Sequence, residues 1–427
     1  MLTINSNNSH LTCDGHSRRE FLKVGSLAMG GLSLPQLLQA QNGNPQVSKD
    51  KAVIMVYLAG GPTHHDTFDM KEDAPLEIKG EFRSIPTKAP GIRICELLPT
   101  IASQMDQCSI IRSISDTVNS HSSYHVMTGK SKKNQAPPGG WPSIGSVFAK
   151  KFGQSEGTPA YLNLGGGIKG GGFLGAAYAG FSPSGKGKAD MQLNGITTNR
   201  FEDRQKLLQC FDNLRRDMDN SGLVEGMDAF NTEAVNVITS NRLLNALDIK
   251  KEDPKSIERY GRNGRNFLLA RRLVEAGARF VTLSTGGWDT HGDNFNKCRK
   301  ILPDLDRGVG NLVQDLRDRA MLDDVTVVVW GEFGRTPRVN KNAGRDHWSR
   351  VMSVFLAGGG MNNGQVVGSS DRHGGEPAER PVRLGEVFST IYRNCGIDST
   401  TLQFNDLSGR PRYIVDPSCK PIKELVG

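Results

Sequence analysis

An α/β fold, with a mostly parallel sheet flanked by helices, is what this sequence predicts. Three observations carry that expectation. Apolar runs short enough to be strands alternate with longer stretches of helical periodicity. Glycine supplies 50 of the 427 residues with no repeating period, a surplus that suits many tight turns between elements. Beyond residue 40, six of the seven histidines fall in segments bordering those apolar runs.

The length allows one large α/β domain or two to three small ones. A hydrophobic fraction of 37% with 23% charged residues excludes a multi-span membrane protein and a fully disordered chain. The formal net charge of +8 is spread along the sequence without a basic block, so nucleic acid is not an expected partner.

The first forty residues read as an address. Ser17-Arg18-Arg19-Glu20-Phe21-Leu22-Lys23 precedes a weakly apolar run, Val24 to Leu38, that ends Leu38-Gln39-Ala40. A twin arginine, a moderate apolar region and a small residue at its end predict a Tat-type export signal over 1–40, with a periplasmic or extracellular destination. The run is broken by Gly25, Gly30, Gly31 and Pro35, too poor to span a bilayer, so no stable membrane span is expected after cleavage. Without the signal, six cysteines remain (95, 108, 210, 298, 395 and 419), none in a C-x-x-C pair, which argues against a zinc–thiolate site.

The elements follow in order. Lys51–Ala59 is a continuous apolar run closed by Gly60-Gly61-Pro62, a buried strand. Leu97–Asp106 reads as helix, Cys108–Ile114 as strand, Ser143–Phe152 as helix and Ala160–Leu164 as a short strand. A glycine-rich stretch at 165–172 opens a loop to Thr198, and 201–277 is almost wholly helical in pattern, so 165–277 reads as a loop-and-helix insertion. Arg279–Thr285 returns to strand, Ile301–Leu322 to helix, Val325–Trp330 and Val351–Ala357 to strand, and Leu384–Cys395 to helix. One domain over 50–400 with a C-terminal extension at 401–427 results. The glycine stretch precedes no helix and lacks the P-loop lysine, which disfavours nucleotide binding.

In open parallel sheets, ligands collect beyond the carboxyl ends of the strands. Those positions here carry His64-His65-Asp66, Ser120-His121-Ser122-Ser123-Tyr124-His125, Asp289-Thr290-His291, Glu332-Phe333-Gly334-Arg335, and Arg345-Asp346-His347 ahead of the strand at 351. Imidazoles and carboxylates converging from separate strand ends make a divalent metal site. The plain alternative is that each histidine caps a turn. Of the adjacent pair His64 and His65, only one is expected to face the site. Arg335 and Arg338 are candidates for receiving an anion through paired hydrogen bonds, and His373 reads as a loop residue.

The series GGPTHHDTFD, SHSSYH…MTG, GGWDTHGD, WGEFGRTP and GRDHW, behind a Tat-type signal, resembles an uncharacterised, exported, sulfatase-like family of the alkaline phosphatase–sulfatase superfamily, over about residues 50–400. The resemblance implies an alkaline-phosphatase-like α/β fold with one or two divalent ions (Zn, Ca or Mg) above the sheet and a Ser, Thr or modified Cys nucleophile. It implies metal ligands among Asp66, His65, His121, Asp289, His291, Glu332, Asp346 and His347. Asp66, Asp289, His291 and His347 match the superfamily's ligand positions best. Ser120, His121 and Ser122 are the candidate nucleophiles, with Arg335 steadying the anion. The sequence departs where the superfamily has Asp-His and this chain has Glu332-Phe333, because phenylalanine cannot ligate. The C-x-P-x-R and S-x-P-x-R signatures of true sulfatases are absent from the sequence. The implied activity is hydrolysis of phosphate or sulfate esters, with a sulfated or phosphorylated glycan as one candidate substrate. The competing expectation is a non-catalytic member that binds metal or glycan.

Overall fold

The computed structural model describes residues 51–131, 136–153, 155, 157–167, 169–184 and 240–426. The chain divides into units 1–48 and 49–427, and all described residues fall in the second. The export signal, Cys210 and the helical pattern over 201–239 lie outside the described residues.

Among the described residues seven strands form the central sheet. They are β1 (Ala52–Leu58), β2 (Cys108–Ile114), β3 (Tyr161–Asn163), β4 (Phe280–Thr285), β5 (Val325–Trp330), β6 (Met352–Gly358) and β7 (Gln365–Val367), in the spatial order β7-β2-β6-β5-β1-β4-β3. β1 pairs in parallel with both β4 and β5, β3 with β4, and β7 with β2. β6 alone runs against its two neighbours. The mostly parallel α/β sheet expected from the apolar runs is therefore present.

All seven residues of β1 are buried, as a strand covered on both faces requires. The period of two divides them. Ala52, Ile54, Val56 and Leu58 enter one core, with Phe267, Leu268 and Leu273 of α2 (Arg265–Glu275) and Leu305, Val309 and Leu312 of α3 (Asn294–Asp318). Val53, Met55 and Tyr57 enter the other, with Val147 and Phe148 of α1 (Ile144–Phe152) and Val387, Phe388 and Ile391 of α4 (Leu384–Asn394).

Three boundaries differ from the pattern in the sequence. α3 starts at Asn294 rather than near 301, only three residues after His291, because Asp293 turns the chain in the left-handed region at φ 53°. The helix expected over 97–106 is a single turn, Pro99–Ser103, followed by a 3₁₀ turn at Met105–Gln107, with proline setting the start. α2 flanks the sheet as one of its covering helices, and Leu402, Ile414, Val415, Ile422 and Leu425 are buried in the second core. The ends of both the insertion and the extension thus contribute to the body of the domain. Cys95, Cys108, Cys298, Cys395 and Cys419 are free and buried.

Candidate metal centre

β1, β2, β4 and β5 point the same way, so Leu58, Ile114, Thr285 and Trp330 end at one edge. β6 runs oppositely and begins at that edge, with Met352 beside Ile114. The segment preceding β6, which carries His347, therefore joins the segments following the other strands.

His121, Asp289, His291 and His347 meet there, each offering one ligand atom, all within 4.8 Å of one another. His291 Nε2 lies 3.0 Å from His347 Nε2 and 3.1 Å from an Asp289 oxygen. His347 Nε2 and His121 Nε2 are each 3.4 Å from Asp289. Ligand atoms on a tetrahedral ion with bonds of ~2.0–2.1 Å lie roughly 3.3 Å apart, near these four distances, so the cluster could hold an ion. Among the described residues it is the one such cluster.

Three of the four donors are braced from behind. His291 Nδ1 lies 2.7 Å from Asp346 Oδ1. His121 Nδ1 lies 3.4 Å from Glu332 Oε1. Arg335 Nη2 donates to Asp289 Oδ1 at 2.6 Å. Carboxylates behind metal-facing imidazoles fix the tautomer and the aim of the ring.

The charges suit the arrangement. Burial raises the Asp289 carboxyl, but the Arg335 hydrogen bond and charge, with His291 and His121, hold it below the ordinary value. The hydrogen bond from His291 leads in lowering Asp346. Burial, then the Arg335 and His121 charges, lower His347 and favour its neutral, ligating form.

Several expected residues do other work. Asp66 is not brought to the cluster. It is fully buried and accepts from Arg345 Nε at 2.8 Å, Thr63 Oγ1 at 2.7 Å and Asn294 Nδ2 at 2.9 Å. His65 is also turned away, with Nε2 2.8 Å from the His373 carbonyl, while His64 Nε2 reaches the Gly374 carbonyl at 2.8 Å. Neither of the adjacent pair faces the cluster, and His373 contributes its backbone to this contact.

Glu332 is buried and accepts from the Gly60 and Gly61 amides at 3.0 and 3.1 Å. Its carboxylate is largely committed to the turn after β1, and it meets the cluster only through His121. Asp346 stands behind His291, with its Oδ1 on the imidazole. Arg335 is fully buried. It donates to the carbonyls of Gly61 (2.8 Å), Arg345 (2.9 Å), Gly60 and Trp288 besides Asp289. A guanidinium so engaged holds Asp289 in place and has little left to receive an anion, and Arg338 is exposed on the following loop. Ser120 and Ser122 flank His121 on the loop after β2, where Ser122 Oγ accepts from the Tyr124 amide at 3.3 Å.

The Phe333 ring is fully buried against His347 (centroids 4.3 Å apart) and His121 (5.3 Å). It fills the volume beside the cluster with hydrocarbon. Gly60, at φ 120°, lets the turn after β1 approach the Asp289 amide, since a Cβ there would sit 2.6 Å from that nitrogen. Asn340, not a candidate from the sequence, bonds through its side chain to both His291 O (3.0 Å) and Asp346 Oδ2 (3.2 Å). Nothing in the local pattern of Val339-Asn340-Lys341-Asn342 marks it as more than a loop residue.

Fold and site together define an α/β protein with a histidine–aspartate cluster, a possible metal site, at the carboxyl edge of a mostly parallel sheet. The chain matches the family described as "Protein of unknown function (DUF1501)" over residues 50–426, and it belongs to that family. Among solved structures it is similar to the PsFucS1 sulfatase from Pseudoalteromonas sp., at 13% identity over 95% of this chain and 75% of that one (TM-score 0.37). It is also similar to the zinc complex of the C-terminal periplasmic domain of EptC from Escherichia coli, at 10% identity over 90% and 91% (TM-score 0.37). A third is the phosphonate monoester hydrolase SpPMH from Silicibacter pomeroyi, at 10% identity over 81% and 73% (TM-score 0.36). Likeness of this degree speaks to neither activity nor substrate. No curated protein matches the chain. Among the described residues, no helix is long and apolar enough to cross a membrane.

Proposed function

We propose that this protein is an exported, metal-dependent hydrolase of phosphate or sulfate esters, working with one divalent ion held by His121, Asp289, His291 and His347. The observation that carries this reading is the convergence of three imidazole Nε2 atoms and one carboxylate, from three separate segments, at a common point. Three nitrogen donors suit zinc, or a similar borderline ion, better than calcium or magnesium, which take oxygen ligands. When bound, such an ion supplies Lewis acidity to an anionic ester oxygen.

The chain's own residues then have distinct tasks. Arg335 keeps Asp289 ionised and aimed. Asp346 and Glu332 stand behind His291 and His121. Ser120 and Ser122, on the loop of His121, are the hydroxyls available as nucleophile. A second ion finds less support, because Glu332 is engaged by backbone amides and Phe333 occupies the neighbouring volume. A sulfated or phosphorylated glycan is a substrate class consistent with a cluster whose residues are mostly exposed.

The alternative is a non-catalytic metal- or glycan-binding protein. Arg335 favours it, since the guanidinium expected to receive the ester anion is consumed internally. Metal analysis of the purified protein, with aryl phosphate and aryl sulfate assays, separates the readings. One equivalent of metal, with turnover lost in Asp289→Ala and His347→Ala, supports the hydrolase. Metal without turnover on a broad ester panel selects the binding protein, and no bound metal overturns the hydrolase and the metal-binding reading, leaving only glycan binding.

A further inference from the structure

Asn340 is placed to govern the cluster without touching it. Its Oδ1 accepts from the Asn342 and Gly344 amides at 2.9 and 3.0 Å. Its Nδ2 donates to the His291 carbonyl at 3.0 Å and to Asp346 Oδ2 at 3.2 Å. The amide orientation is set by this network, because exchanging O and N would oppose donor to donor and acceptor to acceptor in all four contacts.

The other Asp346 oxygen is 2.7 Å from His291 Nδ1. An ionised carboxylate only accepts, so Nδ1 carries a proton toward Asp346, and Nε2 is the nitrogen turned to the cluster, 3.0 Å from His347 Nε2 and 3.1 Å from an Asp289 oxygen. The same loop is fastened to the His291 segment by backbone bonds, Asp293 N to Asn342 O and Asn294 N to Ala343 O, both 2.9 Å. Ala343 is held in the left-handed region at φ 52°, a conformation that a non-glycine residue keeps only where its surroundings impose it.

We infer that Asn340 is a positioning residue. Through Asp346 it holds His291 as the Nδ1–H tautomer with Nε2 turned to the cluster, and so sets the affinity of the centre for its ion. The affinity half of this statement rests on the metal reading above, whereas the tautomer half does not.

Asn340→Asp is the variant that separates positioning from loop folding. It is isosteric and keeps the oxygen that accepts from Asn342 and Gly344. It replaces the Nδ2 donor with an oxygen facing the His291 carbonyl and Asp346. The expected result is Zn2+ binding weakened about 10–100-fold, measured by chelator competition, with the melting temperature of the metal-free protein nearly unchanged. Wild-type affinity in the variant overturns the inference.

A second measurement stands if Asn340→Asp does not fold. The imidazole 15N–1H correlation spectrum of the metal-free wild-type protein is expected to show His291 protonated at Nδ1, and an Nδ1 without a proton overturns the assignment. A wild-type protein that binds no Zn2+ sinks the metal reading. The Nδ1–H signal, compared between the wild type and Asn340→Ala, then still decides whether Asn340, through Asp346, orients His291, and an unchanged signal overturns that role.

Discussion

Asp66 and Arg345 are both fully buried and bonded to one another through two guanidinium nitrogens, at 2.8 and 3.2 Å. Removing one partner leaves the other charged and unpaired in the interior, at a cost of about 3–5 kcal/mol. Asp66→Ala is therefore expected to lower the denaturation midpoint sharply, while the folded fraction retains its affinity for Zn2+. Asp289→Ala should lose the ion, with a smaller loss of metal-free stability than Asp66→Ala, because Asp289 is half-exposed although it is the carboxylate paired with buried Arg335.

His64 and His65 give stability a pH dependence. Burial lowers both, with the His64 and Arg345 charges adding to the effect on His65. Their folded-state values lie below the 6.5 of a free imidazole. Between the two values the unfolded chain binds more protons, so stability is complete above pH 6.5 and is lost as pH falls through it. The melting temperature of the metal-free protein is expected to drop between pH 7.5 and 5.5, and less steeply in His65→Gln. An equal slope in that variant would show that His65 does not contribute.

At the scale of elements, the turn after β1 and the strand β6 build the site. Gly60 and Gly61 present their amides to Glu332, and Gly60 brings the chain against Asp289. Gly60→Ala would place a methyl group 2.6 Å from the Asp289 amide nitrogen at a φ of 120°. Something must shift, so the variant is expected to lose at least about 1–2 kcal/mol of stability and to weaken Zn2+ binding as well. Titration and thermal melts of the same sample check both. Apolar runs and their glycine ends marked these turns in the sequence, but no run of residues states strand direction. β6 carries His347 to the cluster only because it is antiparallel, and that follows from its pairing with β2 and β5.

For the whole molecule, the cluster predicts one bound ion per chain. Binding to the folded state alone contributes about 2.7 kcal/mol when free Zn2+ is at 100 times its dissociation constant. In a chain of this size that corresponds to a rise in melting temperature of roughly 3 °C. Two equivalents by metal analysis would contradict the roles given to Glu332 and Phe333. A rise that persists in Asp289→Ala would place the ion elsewhere.

The α/β class, the approximate position of each described sheet strand except the short β7, and the segments that hold His121, Asp289, His291, Glu332 and His347 are legible in the chain alone. Burial on both faces of a parallel sheet leaves a continuous apolar run, and that signal is local. What each polar side chain does in those segments was decided by the tertiary structure. Asp66 answers to Arg345, 279 positions away, and His291 to Asp346, 55 positions away. Arg335 is consumed by carbonyls more than 270 positions back in the chain. A charged or hydrogen-bonding group takes its role from the partner nearest in space, and periodicity along the chain carries no record of that partner.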